Sequence, residues 1–295
     1  RISKRLAKVK GIVWNDQPDS PSPIEPPDAD TNIMAGHLLD FLRGEVQAGR
    51  LSEKLPPIQS GVGSVANAVL HGLIDSEFEG LELYSEVLQD AVLDLIDMGK
   101  VRAASGSSMT LSHHARERFF NELYRYKEKI VLRPVEISNS PEVIRRLGVI
   151  AINTAIEVDI YGQVNSTHLT GSQMMNGIVV SGDFLRNGAL TFIVTPSTAK
   201  DGRISAIVPM VSHVDHSEHS VDVVVTEHGL VDTRPLTTRQ VAEQVIKKCA
   251  HPDYRDRLWD YFQRAIHSHG GHEPHLLDEA FDFHNRYLAT GSMKG

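Results

Sequence analysis

The chain has a single cysteine, Cys249, among 295 residues. One cysteine excludes an internal disulfide and a cysteine-based zinc cluster, and such sparing use is typical of a reducing compartment. No apolar run approaches the roughly 18 residues that a membrane-spanning helix needs. No signal-peptide pattern opens the chain. We therefore expect a cytoplasmic protein with no membrane partner.

An excess of basic residues is also missing, since 38 acidic side chains outnumber 30 Lys and Arg and the net charge is −8. A nucleic-acid-binding protein normally shows a basic face, so no nucleic-acid partner is expected. An anionic ligand is still compatible with this charge, because a few local Arg or Lys residues can hold phosphates. The hydrophobic content of 41% is ordinary for a globular protein that can bury a sizeable core.

Prolines divide the chain near its start. Five of them, Pro18, Pro21, Pro23, Pro26 and Pro27, crowd one short stretch. Because proline fixes φ and lacks an N–H donor, we expect residues 1–31 to form an N-terminal segment and a proline-rich linker. A short strand is predicted within it, from Gly11 to Trp14. Residues 32–295 then form the main domain, and a chain that begins at Arg1 rather than Met is expected to be cut from a longer protein.

Helical and strand patterns alternate through the first half of the chain, and strands become denser in the middle. Helices are predicted at 32–48, 64–73, 87–98 and 112–127 and from 237 onward, with another starting at Ser140-Pro141. Strands are predicted at 58–59, 81–85, 190–195, 204–210 and 222–226, and a hairpin within 149–165 turns at Tyr161-Gly162. This order predicts an α/β fold with an open mixed sheet flanked by helices. Ligand-binding residues are then expected at the carboxyl ends of the strands.

Glu86 stands between the strand predicted for residues 81–85 and the helix predicted for residues 87–98. A carboxylate at such a junction can face a crevice while the helix N-terminus supports its negative charge. It can attack a thioester carbonyl and form a mixed anhydride. Acidic residues are also common in first helical turns simply because of the helix dipole, so position alone favours a plain stabilising role.

A second candidate is the loop Gly61-Val62-Gly63, which precedes the helix predicted from Ser64. Glycines there let the backbone approach a ligand, and free N–H groups bind anions. The loop also fits the dinucleotide fingerprint formally, which gives a nicotinamide dehydrogenase as a further hypothesis. However, the preceding strand is short and Leu83, twenty residues after Gly63, is not an acid. A tight strand–helix turn explains the glycines equally well.

Histidines crowd residues 212–219, where His213, His216 and His219 would share one face of a helix. Neither a cysteine nor a helical pair of histidines four residues apart supports a zinc site, so a hydrogen-bonded polar loop is favoured and no metal is expected. Residues 174–184 combine Asn, Gly and Ser. They indicate either a loop near a ligand or a strand–turn–helix connection with Ser181 as the N-cap.

Several motifs together resemble one enzyme family. They are Gln59 to Val69, Tyr84 to Asp90, Asn153 to Gly162, Asn165 to His168, Met174 to Gly177, Ser181 to Phe184, Ile207 to His216 and Thr226-Glu227. These motifs span nearly the whole chain and are similar to the acetyl-CoA hydrolase / succinyl-CoA:acetate CoA-transferase family, which belongs to the class I CoA-transferases. The resemblance implies a C-terminal catalytic domain with the class I CoA-transferase fold.

The resemblance also implies a reaction. Glu86 would attack an acyl-CoA thioester, and a glutamyl-CoA thioester would follow. CoA would then pass to a short-chain carboxylate, or water would complete a hydrolysis. Acetyl, propionyl and succinyl groups are the implied acyl groups. Coenzyme A is expected as substrate and product, with no tightly bound cofactor.

Further site residues and partners follow from the same resemblance. Gly61, Val62 and Gly63 would line the active site, Asn139 would lie near the thioester, and the loop with Gly177, Val180 and Gly182 would contact CoA or the acyl group. The implied partners are an acyl-CoA, a short-chain carboxylate, an N-terminal domain of the same protein that this chain lacks, and a second copy in a homodimer.

The chain departs from the family pattern at Val179 and Val180, where the family usually has two glycines before Ser181. Valine does not easily adopt a positive φ, and it adds bulk where a ligand would lie. An altered acyl pocket or weaker CoA binding by this loop is the expected result. The two valines and the absent N-terminal domain motivate an alternative, a catalytically degenerate domain that binds acyl-CoA or a partner protein without turnover.

Overall fold

A computed structural model describes residues 9–17, 27–61, 63–177 and 179–295. Within these ranges the chain forms eleven α-helices: α1 (Ala29–Gln47), α2 (Ser64–Ile74), α3 (Asp90–Asp97), α4 (His113–Asn121), α5 (Leu123–Tyr126), α6 (Val135–Ser138), α7 (Pro141–Leu147), α8 (Val179–Leu185), α9 (Thr238–Lys248), α10 (Pro252–His269) and α11 (Asp282–Thr290). None of these described helices combines the length and the apolar character that crossing a membrane requires.

The same ranges contain seventeen strands, many of them short. They are β1 (Ile58–Ser60), β2 (Leu81–Tyr84), β3 (Val87–Leu88), β4 (Val101–Gly106), β5 (Ser108–Met109), β6 (Ile130–Leu132), β7 (Ile150–Thr154), β8 (Glu157–Asp159), β9 (Val164–Asn165), β10 (His168–Leu169), β11 (Gln173–Met174), β12 (Leu190–Val194), β13 (Thr198–Ala199), β14 (Ile204–Ser205), β15 (Ile207–Val208), β16 (Val223–Thr226) and β17 (Gly229–Asp232).

Eight strands form the main sheet, in the order β17-β16-β12-β7-β1-β2-β4-β6. Every neighbouring pair is parallel except β16 and β17, which are antiparallel. The pairs β3–β5, β10–β11 and β13–β14 and the triplet β15-β8-β9 form small separate sheets. The predicted α/β fold with an open mixed sheet flanked by helices is therefore confirmed.

Alternation along the central strands divides the apolar core between the two faces of the main sheet. In β12, Phe192 and Val194 belong to the core that α1, α2 and α3 cover, while Ile193 belongs to the core beneath α9, α10 and α11. Strand β16 repeats this pattern, with Val224 facing opposite to its two neighbours. Side chains that alternate at period two on a buried strand require helices on both faces, as observed.

A third, smaller apolar cluster joins α7 and α8 to the sheet. Tyr84 from β2 and Phe184 from α8 belong to it, together with Ile144, Val149 and Ala151. The Tyr84 and Phe184 rings lie 6.3 Å apart between centroids, and the Tyr84 hydroxyl donates to the Ile137 carbonyl at 2.5 Å. This cluster fixes α8 and the segment around α6 against the carboxyl end of β2.

Most predicted helices and strands are present with bounds shifted by a few residues, and the hairpin around Tyr161-Gly162 is formed by β8 and β9. The strand predicted from Gly11 to Trp14 is wrong. Ile12, Val13 and Trp14 are exposed by 72%, 92% and 90%, and this stretch has no strand structure. Its apolar and β-branched residues favour a strand locally, but a strand also needs a neighbour to pair with.

Two other predicted elements are divided in the structure. The helix predicted for residues 112–127 breaks at Glu122 into α4 and α5. The strand predicted for residues 204–210 separates into β14 and β15, which pair in two different small sheets. The division of the strand comes from pairing with two different partner strands, which local periodicity does not encode.

Candidate active site

Glu86 lies two residues after the end of β2, at the edge formed by the carboxyl ends of β1, β2 and β4. The Ser85 N–H donates to the Ser105 carbonyl at 3.0 Å, and the Ser85 Oγ donates to the Ser60 carbonyl at 3.0 Å. The Glu86 carbonyl accepts from the Ser107 N–H at 2.7 Å and from the Ser107 Oγ at 3.0 Å. Because hydrogen bonds hold the chain here on both sides, the backbone places the Glu86 side chain at a defined point of this edge.

The helix predicted from Val87 is wrong at its start. Val87 and Leu88 form β3, which pairs in parallel with β5, and α3 begins only at Asp90. Pairing with a strand more than twenty residues away therefore overrides the local helical pattern. Because no helix begins directly after Glu86, a helix dipole does not stabilise its charge as expected. The predicted end of this helix is present, with Gly99 at a φ of 74°.

Gly106 is a residue that sequence reasoning missed. A Cβ at this position would lie 3.0 Å from the Leu88 Cγ and 3.1 Å from the Glu86 carbonyl oxygen. Such distances are closer than ordinary contacts, so glycine lets β4 approach the backbone of Glu86. The run Gly106-Ser107-Ser108 after a strand was the signal that could have pointed to it.

The carboxylate of Glu86 meets a residue 53 positions further along the chain. Its Oε2 accepts from the Asn139 Nδ2 at 2.7 Å. Asn139 stands at the C-terminal end of α6 and is 7% exposed, whereas Glu86 is half-buried. The structure thus brings together two of the predicted site residues.

Asp183, on α8, is a third polar residue at this point. The same Asn139 Nδ2 lies 3.2 Å from the Asp183 Oδ2. Asp183 was part of the Ser181 to Phe184 motif, but it was not predicted as a site residue. Its place in a short polar motif beside glycine was the available signal.

The Gly61–Gly63 loop is tied down by Gln89. The Gln89 Nε2 donates to the Gly61 carbonyl at 2.8 Å, and its Oε1 accepts from the Gly63 N–H at 3.3 Å. The Gly61 N–H donates to the Ile152 carbonyl at 2.8 Å. Both N–H groups that the structure describes in this loop are therefore paired and are not free anion donors. Val62 lies outside the described residues.

Gln89 is a further residue that was missed, although it is only 1% exposed. A second buried amide pair lies behind the loop, where Gln59 and Asn153 exchange hydrogen bonds of 3.0 and 2.9 Å between β1 and β7. A Cβ on Gly61 would approach the Asn153 Oδ1 to 3.3 Å. Three buried amide side chains thus determine the position of the glycine loop beside Glu86.

The predicted CoA-contacting loop leads into α8. Gly177 is exposed in the loop, while Val180 and Gly182 belong to the helix, with Gly182 next to Asp183. Val179 and Val180 open the helix, and a helical backbone has negative φ. These two positions therefore do not demand glycine for backbone reasons.

Ser181 as the N-cap of this helix is wrong, because α8 begins two residues earlier. The Ser181 Oγ instead lies 3.1 Å from the Nε2 of His216. His216 is 1% exposed, and burial lowers its pKa from 6.5 to about 4. A buried, neutral imidazole therefore packs beneath α8.

The His-rich segment is not helical at His213 or His216, so the shared helical face does not exist. Asp215 accepts from the Ser166 N–H and the Thr167 Oγ1, which ties the segment into the fold. These are the contacts of a hydrogen-bonded polar loop.

A different group, Glu218, His272 and Glu273, places donor atoms within 4.8 Å of one another. Acidic groups often assemble in this way without an ion. The expectation of no metal site stays a prediction.

Cys249 is fully buried, and burial raises the pKa of its thiol to about 12. Its Sγ lies 3.7 Å from the carbonyls of Val224 and Gly229. Because the thiolate is the reactive form, a thiol with a raised pKa is unreactive. Cys249 instead belongs to the apolar core.

A half-buried glutamate at the carboxyl edge of a mostly parallel sheet, braced by a buried amide, defines an α/β protein of the kind that binds ligands at strand ends. Residues 116–262 match the family described as acetyl-CoA hydrolase/transferase C-terminal domain. The chain belongs to this acetyl-CoA hydrolase/transferase family, and the predicted family is confirmed.

Relatives of known name agree with this assignment. The chain is 52% identical over 287 residues to the succinyl-CoA:acetate CoA-transferase of Clostridium kluyveri, covering 97% of this chain and 53% of that protein. It is 46% identical over 295 residues to the acetyl-CoA hydrolase of Saccharomyces cerevisiae, covering 97% and 56%. The chain thus spans a little over half the length of these relatives.

Two solved structures share the fold. RipA from Yersinia pestis matches with a TM-score of 0.73 at 26% identity, over 86% of this chain and 57% of that one. The 4-hydroxybutyrate CoA-transferase of Porphyromonas gingivalis matches with a TM-score of 0.64 at 25% identity, over 82% and 57%. The similarity therefore extends over most of the chain in both.

Proposed function

We propose that the protein acts as an acyl-CoA hydrolase or CoA-transferase, with Glu86 as the nucleophile. The observation that carries the proposal is the position of the Glu86 carboxylate, half-buried at the carboxyl edge of the sheet with its Oε2 on the Asn139 amide. The names of the relatives, a CoA-transferase and an acetyl-CoA hydrolase, support the same chemistry.

The first step is an attack on the thioester. An oxygen of Glu86 forms a bond to the acyl carbonyl carbon, the carbon–sulfur bond breaks, and CoA leaves as a thiolate. The product is an acyl-glutamyl anhydride, and no proton is needed for the balance. Asn139 donates a hydrogen bond to the attacking carboxylate and keeps its direction.

The second step returns the thiolate. Its sulfur attacks the Cδ of Glu86, the bond from Cδ to the bridging oxygen breaks, and the acyl group leaves as a carboxylate. A glutamyl-CoA thioester remains. A second carboxylate can then take the CoA by the reverse sequence, which gives transfer, whereas water attack gives net hydrolysis.

Other residues at the carboxyl ends of the strands would shape the space around Glu86 during these steps. The glycine loop of Gly61 and Gly63 lies beside Glu86, and Gln89 holds its shape. A small, fixed backbone there leaves room for an acyl group next to the nucleophile. Val62, Gly177, Val180 and Gly182 stay predicted contacts of CoA or the acyl group. Binding energy from the remote part of CoA can then assist the reaction at the carbonyl carbon.

The dehydrogenase hypothesis has less support. A dinucleotide site needs free backbone N–H groups in its glycine loop to hold the pyrophosphate. The two that the structure describes here already donate to Ile152 and Gln89. The N-terminal domain, the homodimer and the cytoplasmic location stay predictions.

Mass spectrometry of the intact full-length protein mixed with acetyl-CoA tests the proposal. We expect an adduct of the mass of CoA, and peptide mapping should place it on the peptide that contains Glu86. The Glu86→Gln variant should form none, since an amide is a poor nucleophile and cannot become a thioester.

Glu82→Gln provides the matched control, because Glu82 lies on β2, four residues before Glu86, and contacts the exposed Arg102. The control should form the adduct as the unmodified protein does. An adduct that persists in Glu86→Gln would assign the chemistry to another residue. CoA binding without any adduct would favour the degenerate binding domain.

A further inference from the structure

One amide nitrogen serves two carboxylates at the candidate active site. The Asn139 Nδ2 lies 2.7 Å from the Glu86 Oε2 and 3.2 Å from the Asp183 Oδ2. An amide nitrogen carries two hydrogens, so each carboxylate can accept one of them. The opposite orientation would turn the amide oxygen toward two negative groups. The two carboxylates together therefore determine which way the Asn139 side chain points.

Little else holds this side chain in place. The Asn139 Oδ1 is buried and has no hydrogen-bond partner within the described part of the chain. Asn139 follows α6, a helix of only four residues. The orientation of its amide consequently depends on Glu86 and Asp183.

These two carboxylates do not have the same fate in the proposed reaction. Once Glu86 is an anhydride or a thioester, its negative charge is gone and its carbonyl oxygen is a weaker acceptor. Asp183 takes no part in the covalent steps and keeps its charge. From then on it is the stronger of the two acceptors that hold the amide.

Asp183 is itself firmly placed. Its own carbonyl accepts from the Asn187 Nδ2 at 2.7 Å, and the next residue, Phe184, is fully buried in the cluster that includes Tyr84. Tyr84 precedes Glu86 by two residues. The side chains of Asp183 and Glu86 therefore project from one rigid packing unit.

We propose that Asp183 is a positioning residue for the reaction: it holds the Asn139 amide so that one N–H stays directed at the Glu86 carboxyl group throughout the covalent cycle. The inference rests on the proposed function, because it needs a covalent intermediate at Glu86. Asp183 acts through Asn139 and forms no bond to the substrate.

Kinetics of the full-length protein with acetyl-CoA test this role. We expect Asp183→Ala to lower kcat by about tenfold to hundredfold, the loss typical when a supporting hydrogen bond is removed. KM and the thermal midpoint should change little. Asp183→Asn keeps an acceptor oxygen and should recover most of the rate. Glu142→Gln, an exposed change on α7 whose partner is Arg146, should match the unmodified protein.

A double-mutant cycle gives the sharper result. If Asp183 acts through Asn139, removing Asp183 from the Asn139→Ala protein should have no further effect on kcat. Full additivity of the two losses would overturn the role, and so would an unchanged kcat in Asp183→Ala. Equal losses in Asp183→Ala and Asp183→Asn with a lowered thermal midpoint would show a purely structural effect.

The rate of the Glu86 adduct distinguishes this inference from the proposed function. Slower formation and decay of the adduct in Asp183→Ala are expected. If the unmodified protein forms no adduct at all, the proposed function fails, and the role of Asp183 fails with it. If the adduct forms at the same rate in both proteins, only the role of Asp183 is wrong.

Discussion

Glu86 and Glu157 are two glutamates with opposite surroundings. Among the described residues, the Asn139 amide is the one donor that reaches the carboxylate of Glu86, which is half-buried. Glu157 is 4% exposed, and its Oε1 accepts from the Asn165 Nδ2 and from the N–H and Oγ of Ser212. Its Oε2 accepts from the Nε2 of His284 at 2.8 Å.

The contrast separates a group that can react from a group that supports the fold. Burial would raise the pKa of Glu157, but the hydrogen bonds from His284, Asn165 and Ser212 outweigh it and hold that pKa below its ordinary value. A carboxylate with its acceptor sites filled in this way has little capacity left for a substrate. Glu86 accepts one hydrogen bond and is only half-buried, so it keeps such capacity. Substitutions at the two sites should therefore affect different properties of the protein.

The largest effect is expected from Glu86→Gln on turnover. Loss of the nucleophile should lower kcat by at least about a thousandfold, as in other enzymes that lose a covalent catalyst. The thermal midpoint should stay within about 2 °C, since glutamine can still accept from Asn139. Steady-state assays with acetyl-CoA and calorimetry measure the two properties. Substantial turnover in Glu86→Gln would contradict the assignment of Glu86 as the reacting glutamate and Glu157 as the structural one.

Glu157→Gln should show the reverse pattern. Glutamine keeps one acceptor oxygen but turns an NH2 group toward some of the donors that the carboxylate accepts. A buried donor left without its acceptor costs roughly 1–3 kcal/mol, so stability should fall by about that much. Urea unfolding should show this loss, while kcat per folded molecule stays near that of the unmodified protein. The exposed Glu142→Gln change controls for the loss of a surface charge. A stable Glu157→Gln protein with impaired turnover would contradict the assignment.

Asn139→Ala should lower turnover by about a hundredfold, which is the lower end of the loss seen when one donor to a reacting group is removed. The effect should appear in kcat more than in KM, because the hydrogen bond is made to the nucleophile and not to the CoA moiety. Single-turnover measurements would locate it in the formation of the adduct. A change in KM alone would instead place Asn139 in substrate binding.

The smallest expected effect concerns pH and His216. Its folded-state pKa of about 4 lies below the 6.5 of the unfolded chain, so the unfolded chain binds the proton first as the pH falls. This group therefore costs the fold about 2 kcal/mol between pH 7 and pH 5. Unfolding of His216→Gln should depend correspondingly less on pH in that range. His219→Gln, at an exposed histidine, should keep the slope of the unmodified protein.

Local sequence patterns predicted the α/β architecture and placed Glu86 at a strand end. They could not predict that Val87 and Leu88 would pair with β5, because that pairing joins segments about twenty residues apart. For the same reason the helix start moved to Asp90. The strand prediction for residues 11–14 failed for the opposite reason. The local sequence favours a strand, but no partner strand lies beside it in the described residues.

The site shows the same limit. Asn139 was predicted only through the family resemblance, and no spacing rule connects it to Glu86. Gln89 and Gly106 act through lateral contacts that depend on how β1, β2 and β4 are ordered in the sheet. Asp183 lies close to Asn139 because α7 packs against both α6 and α8. Such residues become visible only after the topology is known.

The chain leaves the main sheet at Glu86 and at Ser107, and it enters β3 and β5 as a second parallel pair immediately afterwards. Glu86, the proposed nucleophile, therefore lies between two parallel strand pairs, β2–β4 in the main sheet and β3–β5 beyond it. Displacing the backbone at Glu86 would require the paired strands β3 and β5 to move together. The entropy of fixing the backbone at Glu86 is thus lost once, during folding, and not again each time a thioester arrives.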